Sequence, residues 1–288
     1  MVMRQKWDHL KALLQDMRLA VLAYSGGVDS SLLLKAAAEV MAPHLIAVTA
    51  VSETYPASEL IGAREFARSL GVTHKVLHTG ELSSEDFVRN GPDRCYHCKK
   101  ELFAKLRLIA GTEGITFVIE GSNTDDLRDY RPGRKAAQEF DIRSPLVESG
   151  FSKAEVRECA RMLGLPTWDK PSLACLSSRV PYGTRITPGI LRTIEAAEDH
   201  LRALGFRQAR VRHHEGIARI EIDRADFGRL LNGDIAAKII AALKELGYTY
   251  VCLDLEGYRT GSMNEMLMEQ ADRVGVTFVK NGNTLHSR

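Results

Sequence analysis

The sequence predicts an α/β fold: a parallel sheet flanked by helices, followed by a smaller C-terminal α+β domain. Three observations carry this. The chain has 288 residues, enough for about two domains at ~150 residues each. In its first third, short apolar runs alternate with helical patterns, the mark of βαβ units and a parallel sheet. After about residue 182 the order changes to helix, strand, strand, helix, strand.

The elements follow in order. Arg18–Tyr24, His44–Val51, Thr73–Thr79 and Ile115–Glu120 are predicted strands, apolar enough for a sheet covered on both faces. Val28–Met41 has helical composition. Pro56–Leu70 reads as a helix, with proline at its start and Gly71 after its end. In the second part, Thr187–Leu204 is an amphipathic helix, Gln208–His213 and Ala218–Asp223 are strands, Asp234–Leu246 is a helix and Thr249–Asp254 a strand. The expected division is 1–165, an interdomain loop 166–186, and 187–288. A loop of that length, holding Pro166, Pro171 and Pro181, is expected to be functional.

Composition excludes several classes. Hydrophobic residues are 44% and charged residues 26%, a globular mixture. No apolar run reaches the ~18 residues of a membrane span, and the first residues lack the apolar core of a signal peptide, so a cytoplasmic protein is expected. Lys plus Arg number 39 against 37 acids, which gives no case for nucleic-acid binding. The five cysteines are not expected to form a disulfide framework.

Ser25-Gly26-Gly27-Val28-Asp29-Ser30-Ser31 lies between the first strand and the first helix. Glycines let backbone approach an anion, and the helix start offers free N–H groups and a positive dipole end. Ser25, Ser30 and Ser31 add hydroxyls. The GxxxxGK[ST] pattern of kinases is absent. At the end of the fourth strand comes Glu120-Gly121-Ser122-Asn123-Thr124-Asp125-Asp126, where parallel sheets present loops to ligands. Asp125 or Asp126, with help from Asp29, suits Mg²⁺; the plainer reading of the adjacent pair is a helix cap or solvated loop. Arg128, Arg131 and Arg134 are placed to neutralise a polyphosphate.

Cys95 and Cys98 form a CxxC, and Cys175 lies in the interdomain loop. A single CxxC argues against a four-cysteine zinc site; a redox dithiol and three corners of a [4Fe–4S] cluster both stay open. Arg179 is placed to favour a Cys175 thiolate. Cys159 and Cys252 are expected to be core thiols. Arg210 and Arg212 share one face of a strand, with Glu198 on the preceding helix and Glu221 on the following strand. His213-His214 is discounted as a metal pair, because neighbours on a strand face opposite ways.

The glycine–serine loop resembles the PP-loop of the ATP pyrophosphatase superfamily, adenine nucleotide alpha hydrolase-like in fold. There the loop holds ATP phosphates while a substrate oxygen is adenylated and pyrophosphate leaves. Pro171–Thr187 (PSLACLSSRVPYGTRIT), the GSNTDD segment, Ser144-Pro145-Leu146 and 257–262 (GYRTGS) resemble the LarE family over nearly the whole chain. These are ATP-dependent sulfur transferases of nickel-pincer nucleotide biosynthesis, which serves lactate racemase. The resemblance implies adenylation of a pyridinium dicarboxylate mononucleotide and exchange of carboxylate oxygen for sulfur. It makes Ser25, Gly26, Gly27, Asp29, Ser30, Ser31, Gly121, Asn123 and Asp125 ATP-site candidates. It makes Glu198, Arg210, Arg212 and Glu221 candidates for the substrate's phosphate. Two sulfur sources occur in the family: a sacrificed cysteine matching Cys175, or an iron–sulfur cluster on three cysteines. Cys95 and Cys98 match the second, so ATP, Mg²⁺ and a [4Fe–4S] cluster on Cys95, Cys98 and Cys175 are expected. For this the fold must bring the three cysteines together at the C-terminal edge of the sheet. A sulfide donor and a homo-oligomer are expected as well. The competing classes are a tRNA thiolase, an amidating ligase and a non-catalytic nucleotide sensor. Salt-sensitive RNA binding, activity that survives Cys175→Ala, and ATP binding without pyrophosphate release would respectively reveal them.

Overall fold

The computed structural model describes residues 2–127, 132–171, 174–259 and 262–265. The chain divides into two compact units. The first holds the described residues up to Glu81 and from Asp93 to 171; the second holds Leu82–Pro92 and the described residues from Ala174 on.

The first unit carries a sheet of β1 (Ala20–Ala23), β2 (Leu45–Val51), β3 (Thr73–His78) and β4 (Phe117–Glu120), in the order β3-β2-β1-β4. Every pairing is parallel, and the register sets Ala23 beside both Val48 and Glu120. Alternation divides the strand residues between two cores. Leu22, Leu45 and Ala47 pack with the helices Val2–Met17, Val28–Met41 and Lys153–Met162. Val21, Ile46 and Val48 pack with Arg94–Thr112 and Gly133–Glu139. The predicted parallel sheet with helices on both faces is therefore present. The helix Val2–Met17 was not foreseen; it buries Leu10, Leu14 and Met17. Among the described residues no helix is long and apolar enough to cross a membrane.

The second unit carries β5 (Ala209–His214), β6 (Ile217–Ile222) and β7 (Tyr250–Leu253). β5 pairs antiparallel to β6, and β6 pairs parallel to β7, giving a mixed sheet. It packs on the helices Pro188–Ala203 and Gly233–Glu245 through Leu201, Phe206, Val211, Ile220 and Leu243. Thr187 starts the first of these as N-cap, accepting from the Ile190 N–H at 3.2 Å.

Two features depart from expectation. Residues 82–92 lie in the second unit, outside the predicted division. Fully buried Asn90 explains this: its amide donates to the carbonyls of Pro181 (2.7 Å) and Thr184 (2.9 Å). Cys252 is exposed, not a core thiol. β7 is an edge strand; its Val251 and Leu253 pack on the core, which turns Tyr250 and Cys252 outward. The period was right and the phase wrong.

Candidate functional site

The phosphate-loop candidate is where it was expected, between β1 and the helix Val28–Met41. Gly26 adopts φ +73°, a region open to glycine without strain. Ser30 Oγ lies 3.1 Å from Ser25 Oγ and donates to the Gly27 carbonyl at 3.2 Å, closing the loop on itself. Ser31 is fully buried, its hydroxyl beside Tyr24 Oη at 3.4 Å. From the far side, Tyr55 Oη donates to the Ser25 carbonyl at 3.0 Å.

The loop after β4 packs directly on this one. A Cβ on Gly121 would sit 2.9 Å from Ser30 N, so only glycine allows the approach. Asn123 donates from Nδ2 to Asp29 at 3.1 Å, joining the two segments singled out from sequence. Asp125 accepts from the Lys153 N–H at 2.8 Å. Asp126 is buried and accepts the Asn123 N–H at 3.0 Å, a capping bond. Arg134 donates to the Leu127 carbonyl at 3.3 Å, while residues 128–131 lie outside the described residues.

Sequence reasoning missed the lysines that bracket the loop. Lys153 Nζ binds the Asp29 carboxylate. Lys170 Nζ donates to the Gly26 carbonyl at 3.2 Å and pairs with Glu59. The Ser152–Glu155 capping box marks where the Lys153 helix begins, yet nothing local says what the lysine reaches. Glu120, at the end of β4, opened the segment singled out from sequence but was given no role there. It is buried, and Lys99 Nζ meets it at 3.0 Å with Ser144 Oγ at 3.2 Å. Burial pushes its pKa up, but Lys99 and the Ser122 and Ser144 hydroxyls outweigh this and hold the carboxyl below its ordinary range.

Cys95 and Cys98 occupy the first turns of the helix Arg94–Thr112; Cys95 is exposed and Cys98 half-buried. Cys175 is exposed and belongs to the second unit. Among the described residues no group of three or more His, Cys, Asp or Glu is gathered as a metal site.

The second unit holds a buried ionic cluster. Arg179 binds Glu198 through two bonds of 2.8 Å. Its Nη1 donates to the carbonyls of Ala174 (2.7 Å) and Cys175 (2.9 Å), fixing the backbone that bears the thiol. Arg212 binds Glu221 at 2.6 Å, Ser262 Oγ at 3.1 Å and the Ser178 carbonyl at 3.1 Å, and its Nε is buried without a partner. Arg210 is buried with its guanidinium over the Tyr258 ring. Burial and the Arg179 charge lower the Arg210 pKa. Burial works against the Glu198 carboxylate as well, but Arg179, Arg210 and the Val211 N–H hold its pKa below the ordinary range. Glu198, Arg210, Arg212 and Glu221 are thus one buried assembly, with Arg179 as its unforeseen member. The two histidines separate as expected: His213 lies 3.2 Å from Tyr248 Oη, and His214 accepts from Arg219 at 3.2 Å.

Comparison with known proteins bears on this arrangement. The asparagine synthase family model matches residues 11–110, the span that contains the glycine–serine loop. The pyridinium-3,5-bisthiocarboxylic acid mononucleotide synthase of Lactiplantibacillus plantarum is 40% identical over 259 residues, 90% of this chain and 93% of its own. The chain belongs to the LarE family. It is accordingly an ATP-dependent sulfurtransferase of the PP-loop type. An uncharacterized protein of Synechocystis sp. is 41% identical to this LarE-family chain over 92% of its length and 99% of the relative's. One of Methanocaldococcus jannaschii is 31% identical, covering 83% and 90%.

Proposed function

We propose that the chain uses ATP to activate a carboxylate of a pyridinium dicarboxylate mononucleotide and converts it to a thiocarboxylate for nickel-pincer nucleotide biosynthesis. The observation that carries this reading is the 40% identity, over 90% of the chain, to a synthase named for the corresponding bisthiocarboxylic acid mononucleotide. A substrate carboxylate oxygen attacks the α-phosphorus of ATP, pyrophosphate leaves, and an acyl-adenylate forms. Ser25, Gly26, Gly27, Ser30 and Ser31 cradle the departing phosphates with N–H and hydroxyl donors. Asp29 and Asp125, with Asp126 behind them, offer the hard oxygens that suit Mg²⁺, and Gly121 and Asn123 hold that second loop against the first. Sulfur then displaces AMP.

In the second unit, Arg210 and Arg212 receive the substrate's phosphate, while Glu198 and Glu221 hold the guanidinium groups in place. The partnerless Nε of Arg212 supports an anionic ligand there. For the sulfur source, Cys95, Cys98 and Cys175 are our candidate thiolates, of the chemistry that suits a [4Fe–4S] cluster, and Cys95 and Cys98 stand one helical turn apart on their helix. When bound, that cluster supplies an exchangeable sulfide, replenished by a sulfide donor. The second reading, a sacrificed Cys175, is supported by the exposure of that thiol.

The test is anaerobic turnover with ATP, substrate and sulfide, following pyrophosphate, product mass and polypeptide mass. Repeated turnover at unchanged polypeptide mass, lost in Cys95→Ala, is expected. A mass loss at Cys175 matching product one for one, in iron-free protein, would replace the cluster with the sacrificial cysteine. No thiocarboxylate under any condition would remove the proposed function.

A further inference from the structure

We propose that Thr49 and His74 are positioning residues for pyrophosphate release, a chain of hydrogen bonds from β3 through β2 fixing the first peptide of the glycine–serine loop; this rests on the reading of Ser25–Ser31 as the phosphate loop. β2, LIAVTAV, is apolar except for Thr49. Thr49 is fully buried, and a hydroxyl taken from water needs a partner. It donates to the Tyr24 carbonyl at 2.8 Å. Tyr24 stands between β1 and the loop, and its N–H extends the β1–β2 ladder by reaching the Val48 carbonyl at 2.9 Å. The Ser25 N–H, at the other end of the Tyr24–Ser25 peptide, donates to Ser30 Oγ at 3.3 Å. That peptide is therefore held at both ends, by the sheet on one side and by the helix Val28–Met41 on the other.

His74 completes the chain. It is in register with Ala47, so it stands diagonal to Thr49 on the same face of the sheet. Its Nε2 lies 2.8 Å from Thr49 Oγ1, and its ring meets Tyr24 edge-on at a centroid distance of 6.0 Å. Hydrogen counting sets the directions. A carbonyl only accepts, so the one hydroxyl hydrogen of Thr49 goes to Tyr24, and His74 donates from Nε2. Burial and the Arg64 charge lower the His74 pKa, which favours the neutral ring, here the Nε2–H tautomer. A peptide unit is planar and rigid, so orienting the Tyr24–Ser25 peptide sets the direction in which the loop leaves the sheet. In the proposed reaction the loop's N–H groups meet charge that grows on the departing phosphates, so their placement counts most in the transition state.

The experiment measures ATP-dependent pyrophosphate release in the full-length protein, as kcat and as the KM for ATP. Hydrogen exchange of the peptide containing Ser25–Ser31 is followed alongside and needs no substrate. Thr49→Val keeps the shape and loses the hydroxyl, whereas Thr49→Ser keeps the hydroxyl. His74→Leu loses the donor, whereas His74→Gln keeps an N–H at a similar reach. Ser30→Ala is the control on the loop itself. Thr49→Val is expected to lower kcat by roughly ten- to a hundredfold, with a smaller change in KM, and to speed exchange in the loop. His74→Leu should move both readouts the same way, and Thr49→Ser and His74→Gln should recover most of each. If Thr49→Val matches the parent in both readouts, or if Thr49→Ser is as impaired as Thr49→Val, the hydroxyl does not position the loop and the proposal falls. If His74→Leu matches the parent, the assignment of His74 falls. Should the thermal midpoint show Thr49→Val unfolded, the His74 pair, at a half-buried site, carries the same comparison. If Ser30→Ala itself releases pyrophosphate at the parent rate, the phosphate-loop reading falls and the proposal with it.

Discussion

Gly121→Ala tests whether the contact between the two candidate ATP-site loops matters as the geometry says. The added Cβ would stand 2.9 Å from Ser30 N, 3.0 Å from Ser30 Cα and 3.2 Å from the Asp29 carbonyl carbon. These are backbone atoms at the start of a helix, with no flexible side-chain end to move aside. Restoring ordinary contact of 3.4 Å or more requires a shift of about half an ångström, in an interior with little slack. Overpacking of this kind costs about 1–3 kcal/mol. On the proposed function, the shift also moves the Ser30 N–H and hydroxyl away from the phosphates they are proposed to hold, and misplacement on the ångström scale lowers rates by up to roughly a hundredfold. The assay is ATP-dependent pyrophosphate release together with urea unfolding by tryptophan fluorescence. Both tryptophans, Trp7 and Trp168, lie in the first unit, so the emission reports that unit. The control is Gly62→Ala, at an exposed helical site where an added Cβ meets nothing within 4 Å; it should stabilise by about 0.5–1 kcal/mol. Parent stability and parent kinetics in Gly121→Ala would refute the packing argument.

Other outcomes follow from the same structure. Arg179→Ala removes the two-bond partner of the buried Glu198, leaving it the Arg202 pair at 3.6 Å, and should destabilise the second unit by up to about 3–5 kcal/mol, seen as an earlier loss of hydrogen-exchange protection in β5 and the helix Pro188–Ala203; unchanged protection there would contradict the assigned pair. Cys175→Ala should still release pyrophosphate yet yield no thiocarboxylate by mass spectrometry, and a normal yield would remove Cys175 from sulfur transfer. In thiol alkylation at pH 8, Cys252 should react readily, whereas Cys159, whose thiol burial raises to about 11, should react last; the reverse order would contradict both placements. Glu120 and Glu198 have folded pKa values below their unfolded ones, so the folded state binds fewer protons. Their contribution is present above the unfolded carboxylate pKa of about 4.3 and is lost as pH falls further. His74, with its pKa lowered by burial and by Arg64, begins the loss earlier, as pH falls below about 6.5. Stability measured from pH 7 to pH 3 should therefore decline in two stages, and a flat profile to pH 4 would argue against the His74 contribution.

Local information was enough for the sheet and for the loop. The four strands of the first unit and the helices Val28–Met41 and Ala57–Ser69 are where period and end signals put them, because β1 and β2 are apolar on both faces and must be covered on both. Ser25–Ser31 was legible because a glycine-rich turn between a buried strand and a helix is a local device, written in consecutive residues. What only the tertiary structure decided depends on partners distant in sequence. Cys252 kept its strand period, but its outward phase follows from β7 lying at the sheet edge. Residues 82–92 join the second unit because Asn90 finds its acceptors about ninety residues away. Lys153 reaches Asp29, Arg179 reaches Glu198, and Glu81 meets Cys98, each across a separation that no periodicity records. The sequence supplied these charged and thiol groups; burial decided which of them had to meet, since an ion removed from water needs a partner and the fold alone determines which ones are within reach.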